Sequence, residues 1–356
     1  MKAIIGWDIG GAHLKAARAE NGRIVRAIQA PCPLWLGLDR LDAAFARARR
    51  RVGSAEHHHI TMTGELADAF ASRAEGVATL ARLAACALNS GEISIYAGRA
   101  GFVGLDGLPD HVADIASANW HACAQWAVHS VRNGLFVDMG STTTDLIPLR
   151  EGRVATCGYS DAERLVAGEL VYTGMVRTSL MAVTSQLPFR GRPTPLMNEH
   201  FASIADVHRI LGELPAGADQ QATADGREKT IAASRARLAR MVGADAGEAP
   251  EAAWAELAGA FREAQLRSLH DAAMLVLSRV SLPPDAPIIG AGIGATMIRS
   301  LALRLRRSYL PFARLLPAAS AKLAKAASDC APAAALALLT DVAKPRRAAL
   351  RKSRSA

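Results

Sequence analysis

Aromatic side chains are scarce in this chain, making up 5% of its 356 residues, and its five cysteines form no Cys-x-x-Cys pair. Cys32, Cys86, Cys123, Cys157 and Cys330 are widely scattered, which excludes a zinc module or disulfide framework and fits reduced thiols in a cytoplasmic protein. No apolar run approaches the ~20 residues of a membrane span; the best, Ala331 to Leu339, reads as a core helix. The opening run, Ala3 to Trp7, is interrupted by Asp8 and is too short for the core of a signal peptide. A soluble protein with no membrane partner is therefore expected. The net charge of +9 invites a nucleic-acid reading, but residues 341–356 carry +5 of it and hold no aromatic residue on which a base would stack. That stretch is expected to be a basic disordered tail without a specific nucleic-acid contact.

What the chain does have is a repeated turn. DIGGAHLK runs from Asp8 to Lys15 and DMGSTTTD from Asp138 to Asp145, each after an apolar strand-like run and each led by an aspartate. Gly10, Gly11 and Gly140 let backbone N–H groups approach an anion closely. Ser141, Thr142 and Thr143 offer hydroxyl donors, and Lys15 a point charge. Asp8 and Asp138 are the carboxylates suited to Mg²⁺, which takes one or two of them together with substrate phosphate and water. His13 lies inside the first turn as a donor or acid, and Asp145 closes the second. One such turn is equally a simple hairpin; two of them imply duplicated halves facing one phosphate group.

A third segment, Pro287 to Ala295, is again an apolar strand entering a Gly-rich turn, with Gly290, Gly292 and Gly294 alternating ahead of a helix-spaced stretch. Such alternation lets a flat or anionic ligand lie on bare backbone. The surrounding order of strands and helices argues for an α/β protein, and 356 residues suffice for two cores.

In that order the three segments resemble the two phosphate motifs and the nucleoside motif of the actin, sugar kinase and Hsp70 superfamily. Within it, CPLW at Cys32 to Trp35, TMTGELADAF at Thr61 to Phe70, SANWHA at Ser117 to Ala122 and GELVYTGMVRT at Gly168 to Thr178 resemble the hydantoinase/oxoprolinase branch, in particular its tetrahydromethanopterin-linked members. The resemblance implies a two-lobed actin/hexokinase/Hsp70-like (ribonuclease H-like) fold with a central phosphate-binding cleft. Lobes are expected over residues 1–116 and 117–312, followed by a helical segment, 313–340, packing towards the first. It also implies a transferase of methanofuran-type cofactor biosynthesis. Such an enzyme joins an aminomethylfuran-methyl diphosphate to the phenol of a tyramine or tyrosine derivative and releases pyrophosphate, with Mg²⁺ as cofactor. Asp8, Lys15, Asp138 and Asp145 would be catalytic, and Arg177 would contact the substrate; Asp145 and Asp161 stand as candidates for the phenol's base. The alternative is an ATP-dependent small-molecule kinase or an oxoprolinase-type amidohydrolase. A nucleotide-dependent binding protein ranks below both for want of a peptide-binding domain or filament-forming insertion.

Other residues have blander expectations. Ser117 is placed as the N-cap of a helix running to Val131, and His57, His58 and His59 on a surface-edge strand. Glu163 and Glu169 read as solvated helix charges. The polar stretch 212–230 reads as a loop that either lies on the surface or forms part of a cleft wall; in the latter case Asp225, Arg237 and Arg240 would be substrate contacts. Trp35, Trp120 and Tyr172 suit either the core or an aromatic acceptor.

Overall fold

Seven consecutive buried residues, Ala3–Ile9, form β1. A strand covered on both faces reads as an unbroken apolar run, unlike the alternating pattern of a half-exposed one. The computed structural model describes residues 3–339; the basic tail at 341–356 lies outside the described residues. β1 is joined antiparallel to β2 (His13–Glu20) and β2 to β3 (Arg23–Pro31), then parallel to β4 (His57–Met62). β5 (Glu92–Tyr96) and the short β6 (Phe102–Val103) complete a six-stranded sheet ordered 3-2-1-4-5-6.

The second sheet repeats the plan. β7 (Gly134–Met139) pairs antiparallel with β8 (Thr144–Arg150) and parallel with β13 (Ile288–Gly292), which leads in parallel to β14 (Tyr309–Pro311). β9 (Arg153–Val154) and β10 (Leu170–Val171) both add to β8, and β11 (Gln186–Phe189) with β12 (Arg192–Pro195) forms a separate ribbon. Thus β1, β2 and β4 correspond to β7, β8 and β13. The correspondence extends to side chains: the ladders set Asp8 opposite Lys15 and Asp138 opposite Asp145.

Helices cover the first sheet with α1 (Asp39–Val52) and α2 (Arg73–Leu88). In α1, Leu41, Ala44, Phe45, Ala48 and Val52 recur at helical spacing, and these are its buried residues. Asp39 and Asp42 occupy its first turn and three arginines its last, complementing the helix dipole, before Gly53 ends it at φ +76°. After the single-turn α3 (Val112–Ile115), α4 (Asn119–Ala127) and the C-terminal α10 (Ala321–Asp329) and α11 (Ala331–Leu338) lie in a core that joins residues of both sheets, including Ala17, Ile24, Phe136 and Ile289. Gly6 of β1 makes this possible, since any Cβ there would collide with the Ala333 carbonyl oxygen of α11. The rest of the second half holds α5 (Asp161–Ala167), α6 (Ile204–Ile210), α7 (Ile231–Arg240), the 29-residue α8 (Glu251–Arg279) and α9 (Ala295–Arg304). None of the described helices is long and apolar enough to cross a membrane.

Several expectations change here. The helix expected from Ser117 to Val131 spans only Asn119–Ala127, and Ser117 does not cap it: its φ is +56° and its hydroxyl bonds elsewhere. The histidines do not lie at an edge. β4 sits between β1 and β5, so His58 is buried, accepting a hydrogen bond from Trp7 Nε1 at 3.1 Å, while His57 pairs with Glu92. Glu169 is not a solvated helix charge. It lies beyond α5, fully buried, and accepts from the backbone N–H groups of Cys157 at 2.7 Å and Gly158 at 3.0 Å.

Candidate active site

The two repeated turns are built alike. Gly10 N–H donates to the His13 carbonyl at 2.9 Å, and Gly140 N–H to the Thr143 carbonyl at 2.9 Å. Each turn is therefore a tight link between antiparallel strands, with an aspartate on the entering strand and a charged residue opposite it on the departing one. A Cβ at Gly11 would meet nothing within 4 Å, so the first turn faces open space.

That space is a cavity of about 460 Å³. Gly11, Thr142, Thr143, Asp145 and Arg177 line it, along with Trp35, Ser117, Asp161, Arg164 and Tyr172. Trp35 and Tyr172 are exposed, whereas Trp120 is buried with the Arg164 guanidinium 4.3 Å from its ring centre. Arg177 lies over Trp35 at 4.4 Å and has no carboxylate partner among the described residues. The 212–230 loop reaches the first turn, where Gln221 Nε2 donates to the Ala12 carbonyl at 3.1 Å. Arg237 does not reach a substrate position: it is buried and ion-paired with Asp206 at 2.7 Å and Asp225 at 3.0 Å, and Arg240 also pairs with Asp225.

Asp8, Lys15 and Asp138 do not line the cavity; they are held at the strand ends leading into the turns. Lys15 Nζ is 3.5 Å from Asp8 Oδ2. Burial lifts the Asp8 carboxyl above its ordinary range even against Lys15, and pushes Asp138 up to about 7, the neighbouring Asp145 and Asp8 adding to the effect. Burial by itself pulls the Lys15 ammonium down, but Asp8 and Asp138 outweigh it and hold it above the usual lysine value. Asp8 Oδ1 is buried with no hydrogen-bond partner among the described residues. His13 is pushed down to about 3 by burial, assisted by Lys15 and Arg177, so it is neutral at ordinary pH and offers a single N–H.

Gly290, Gly292 and Gly294 are enclosed by protein. A Cβ at 290 would meet Tyr309 at 2.5 Å, one at 294 would meet Met139 at 2.5 Å, and one at 292 would strike Asp138 Oδ1. Gly292, at φ +77°, is therefore needed for Asp138 to occupy its place.

Arg164 was not singled out by its sequence position. It is 1% exposed, lies on α5 and donates to Asp145 Oδ1 at 2.6 Å and to the Glu169 carbonyl at 3.1 Å. The signal for it was the capping box of Ser160 and Glu163, which fixes where α5 begins and so which face Arg164 presents. Replacing Arg164 with alanine is expected to cost about 3–5 kcal/mol, because it strands a largely buried carboxylate. Denaturant unfolding measures this, and a loss below about 1 kcal/mol, the scale of a surface pair, would show that Asp145 does not depend on it.

A family model described as hydantoinase/oxoprolinase matches residues 56–328. The chain belongs to the hydantoinase/oxoprolinase family. It is 30% identical over 243 residues to (4-{4-[2-(gamma-L-glutamylamino)ethyl]phenoxymethyl}furan-2-yl)methanamine synthase of Methanocaldococcus jannaschii, covering 68% of this chain and 72% of that one. It is 33% identical over 114 residues to the protein of the same name from Methanococcus vannielii, covering 32% of this chain and 51% of that protein. Among solved structures, nucleotide-free acetone carboxylase matches with a TM-score of 0.52 at 10% identity, covering 85% of this chain and 67% of that chain. At that identity the likeness concerns the fold alone. The two mixed sheets are those of the actin/hexokinase-like fold expected for this family.

Proposed function

We propose that the chain forms an aryl ether, joining an aminomethylfuran-methyl diphosphate to the phenol of a tyramine derivative in methanofuran-type cofactor biosynthesis. The name of the Methanocaldococcus relative describes a phenoxymethyl-furan, a linkage that arises when a phenol oxygen displaces a leaving group from a furanyl methylene. The observation that carries the reading is one cavity that joins part of both turns to Trp35, Tyr172 and Arg177, which has no carboxylate partner among the described residues. Gly11, Thr142 and Thr143 suit the diphosphate, the aromatic side chains suit the two rings, and Arg177 suits an anionic group.

The donor set also fits a divalent cation. Asp8 Oδ1 is buried without a hydrogen-bond partner among the described residues and burial holds Asp138 above its ordinary range, with Asp145 and Asp8 adding to the effect, while Mg²⁺ binds through a few carboxylate and phosphate oxygens. When bound, Mg²⁺ supplies charge neutralisation for the departing diphosphate. Lys15 holds Asp8 in place, Thr142 and Thr143 donate to the leaving oxygens, and the apolar faces of Trp35 and Tyr172 exclude water from the electrophilic methylene.

The deciding assay incubates the full chain and Mg²⁺ with a furfuryl-type diphosphate and tyramine, or with ATP in its place, and reads products by mass spectrometry. Ether and free pyrophosphate without ATP are expected; ADP alone would replace this reading with the ATP-dependent kinase or amidohydrolase. With active protein, Arg177→Ala is expected to raise KM for a γ-glutamylated tyramine about tenfold, the value of one charge-assisted contact, with little change for tyramine itself. Equal effects on both acceptors would remove Arg177 from that role.

A further inference from the structure

One hydroxyl on the cavity wall serves two carboxyl groups. Ser117 Oγ is 2.8 Å from Glu65 Oε1 and 2.9 Å from Asp161 Oδ2. A hydroxyl carries a single proton, so with two close carboxyls it donates to one and accepts from the other, which must be the neutral acid. Asp161 is the charged member, because its Oδ2 is also ion-paired with Arg73 at 2.7 Å. Glu65 is the neutral one. It is 1% exposed, its Oε2 is buried without a hydrogen-bond partner among the described residues, and burial pushes its carboxyl up to about 7. The chain therefore runs from the Glu65 acid to Ser117 and from Ser117 to Asp161.

Ser117 is held for this purpose at a cost. Its φ of +56° is unfavourable for a residue with a Cβ by about 1–2 kcal/mol, and such strain persists where the surroundings over-determine the conformation. Both Ser117 and Asp161 line the cavity. Arg73 and Ser117 engage Asp161 through Oδ2, leaving Oδ1 without a hydrogen bond among the described residues.

We propose that Asp161 takes the proton from the attacking hydroxyl, with Ser117 and Glu65 as its positioning residues. The assignment rests on the ether-forming reading. As the phenol oxygen bonds to the methylene carbon, the carbon–oxygen bond to diphosphate breaks, its electron pair leaves with the diphosphate, and the phenol proton passes to Asp161 Oδ1. The charged groups that face Glu65 are Arg73 from α2 and Asp161 from α5. Arg73 and Asp161 come from opposite halves of the chain, so the base is completed only where the two meet.

The test uses Asp161→Asn, Ser117→Ala, Glu65→Ala and Glu65→Gln in the full chain with Mg²⁺, furfuryl-type diphosphate and tyramine, with thermal unfolding checked for each. Asp161→Asn is expected to lower kcat by about 10²–10⁴ with KM for the diphosphate little changed. Ser117→Ala should lose about tenfold, the value of one hydrogen bond to a charged group, and Glu65→Ala up to as much by releasing Ser117 from its position. Glu65→Gln, whose amide N–H replaces the acid proton, should restore most of that loss. In the wild type the rate should fall as pH rises through about 7 and Glu65 ionises, and Glu65→Gln should lack that limb. Full activity in folded Asp161→Asn, or an unchanged alkaline limb in Glu65→Gln, would overturn the assignment while leaving ether formation standing. Absence of ether from the wild type would overturn the ether-forming reading and this assignment together.

Discussion

Asp138→Asn is expected to lower kcat by about 10²–10³ without unfolding the protein, a loss typical of removing one electrostatic contributor from a preorganised site. Asparagine keeps the shape that β7 and Gly292 enclose, but it removes the charge that a cation or a departing diphosphate would meet. Asp138 is pushed up to about 7 by burial, with Lys15 opposing and Asp145 and Asp8 reinforcing the shift. A bound cation would return it to the ionised form, so Mg²⁺ with diphosphate should raise the melting temperature more at pH 8 than at pH 6, and Asp138→Asn should abolish that difference. Gly292→Ala provides an independent check, since its methyl would displace Asp138 Oδ1 and glycine alone suits φ +77° there. If both variants keep wild-type turnover, the paired-turn site is not where the chemistry occurs.

Lys15→Met is expected to cost about 3–5 kcal/mol of stability at pH 8, because it removes the cation beside two buried carboxylates. The loss should shrink at lower pH. A carboxyl whose folded pKa lies above its unfolded value contributes stability that is complete below the unfolded pKa and is lost as pH rises through the folded one. For Asp138 that window runs from 3.8 to about 7, and Asp8 shifts in the same direction. Removing Lys15 moves both upward, so the gap between variant and wild type should widen from pH 5 to pH 8. Denaturant unfolding at both pH values measures it; a gap independent of pH would mean that Lys15 acts through packing alone.

These two residues show how far the sequence reaches. Asp8 and Lys15 stand seven positions apart, as do Asp138 and Asp145, and each pair is separated from its counterpart by 130 positions. A strand, a tight turn and a returning strand are local structure, so their composition is written in consecutive residues. The hairpin reading of each turn requires a returning strand, and the ladders supply it. β2 begins at His13 and β8 at Thr144, which places Lys15 and Asp145 on ladders facing the two aspartates. The alternation that would have shown this was hidden because β2 is covered on both sides and its small alanines carry no period-two signal.

The errors share a cause. His57 to His59 looked like an edge because β4 could not be seen to lie between β1 and β5, and strand order depends on crossovers rather than on local pattern. Glu169 reads as a solvated helix charge and Arg237 as a substrate contact because their partners lie elsewhere in the chain: Cys157 and Gly158 for the first, Asp206 and Asp225 for the second.

The sequence by itself determined the family, the α/β class and the duplicated glycine-rich turns, since each depends on residues that are neighbours along the chain. Tertiary structure decided the rest. It set Arg164 against Asp145, left Arg177 over Trp35 without a carboxylate partner among the described residues, and brought Glu65 and Arg73 against Ser117 and Asp161 of the cavity wall. The charge and protonation of those groups depend on burial and on partners far away in the chain, and no periodicity in a sequence records either.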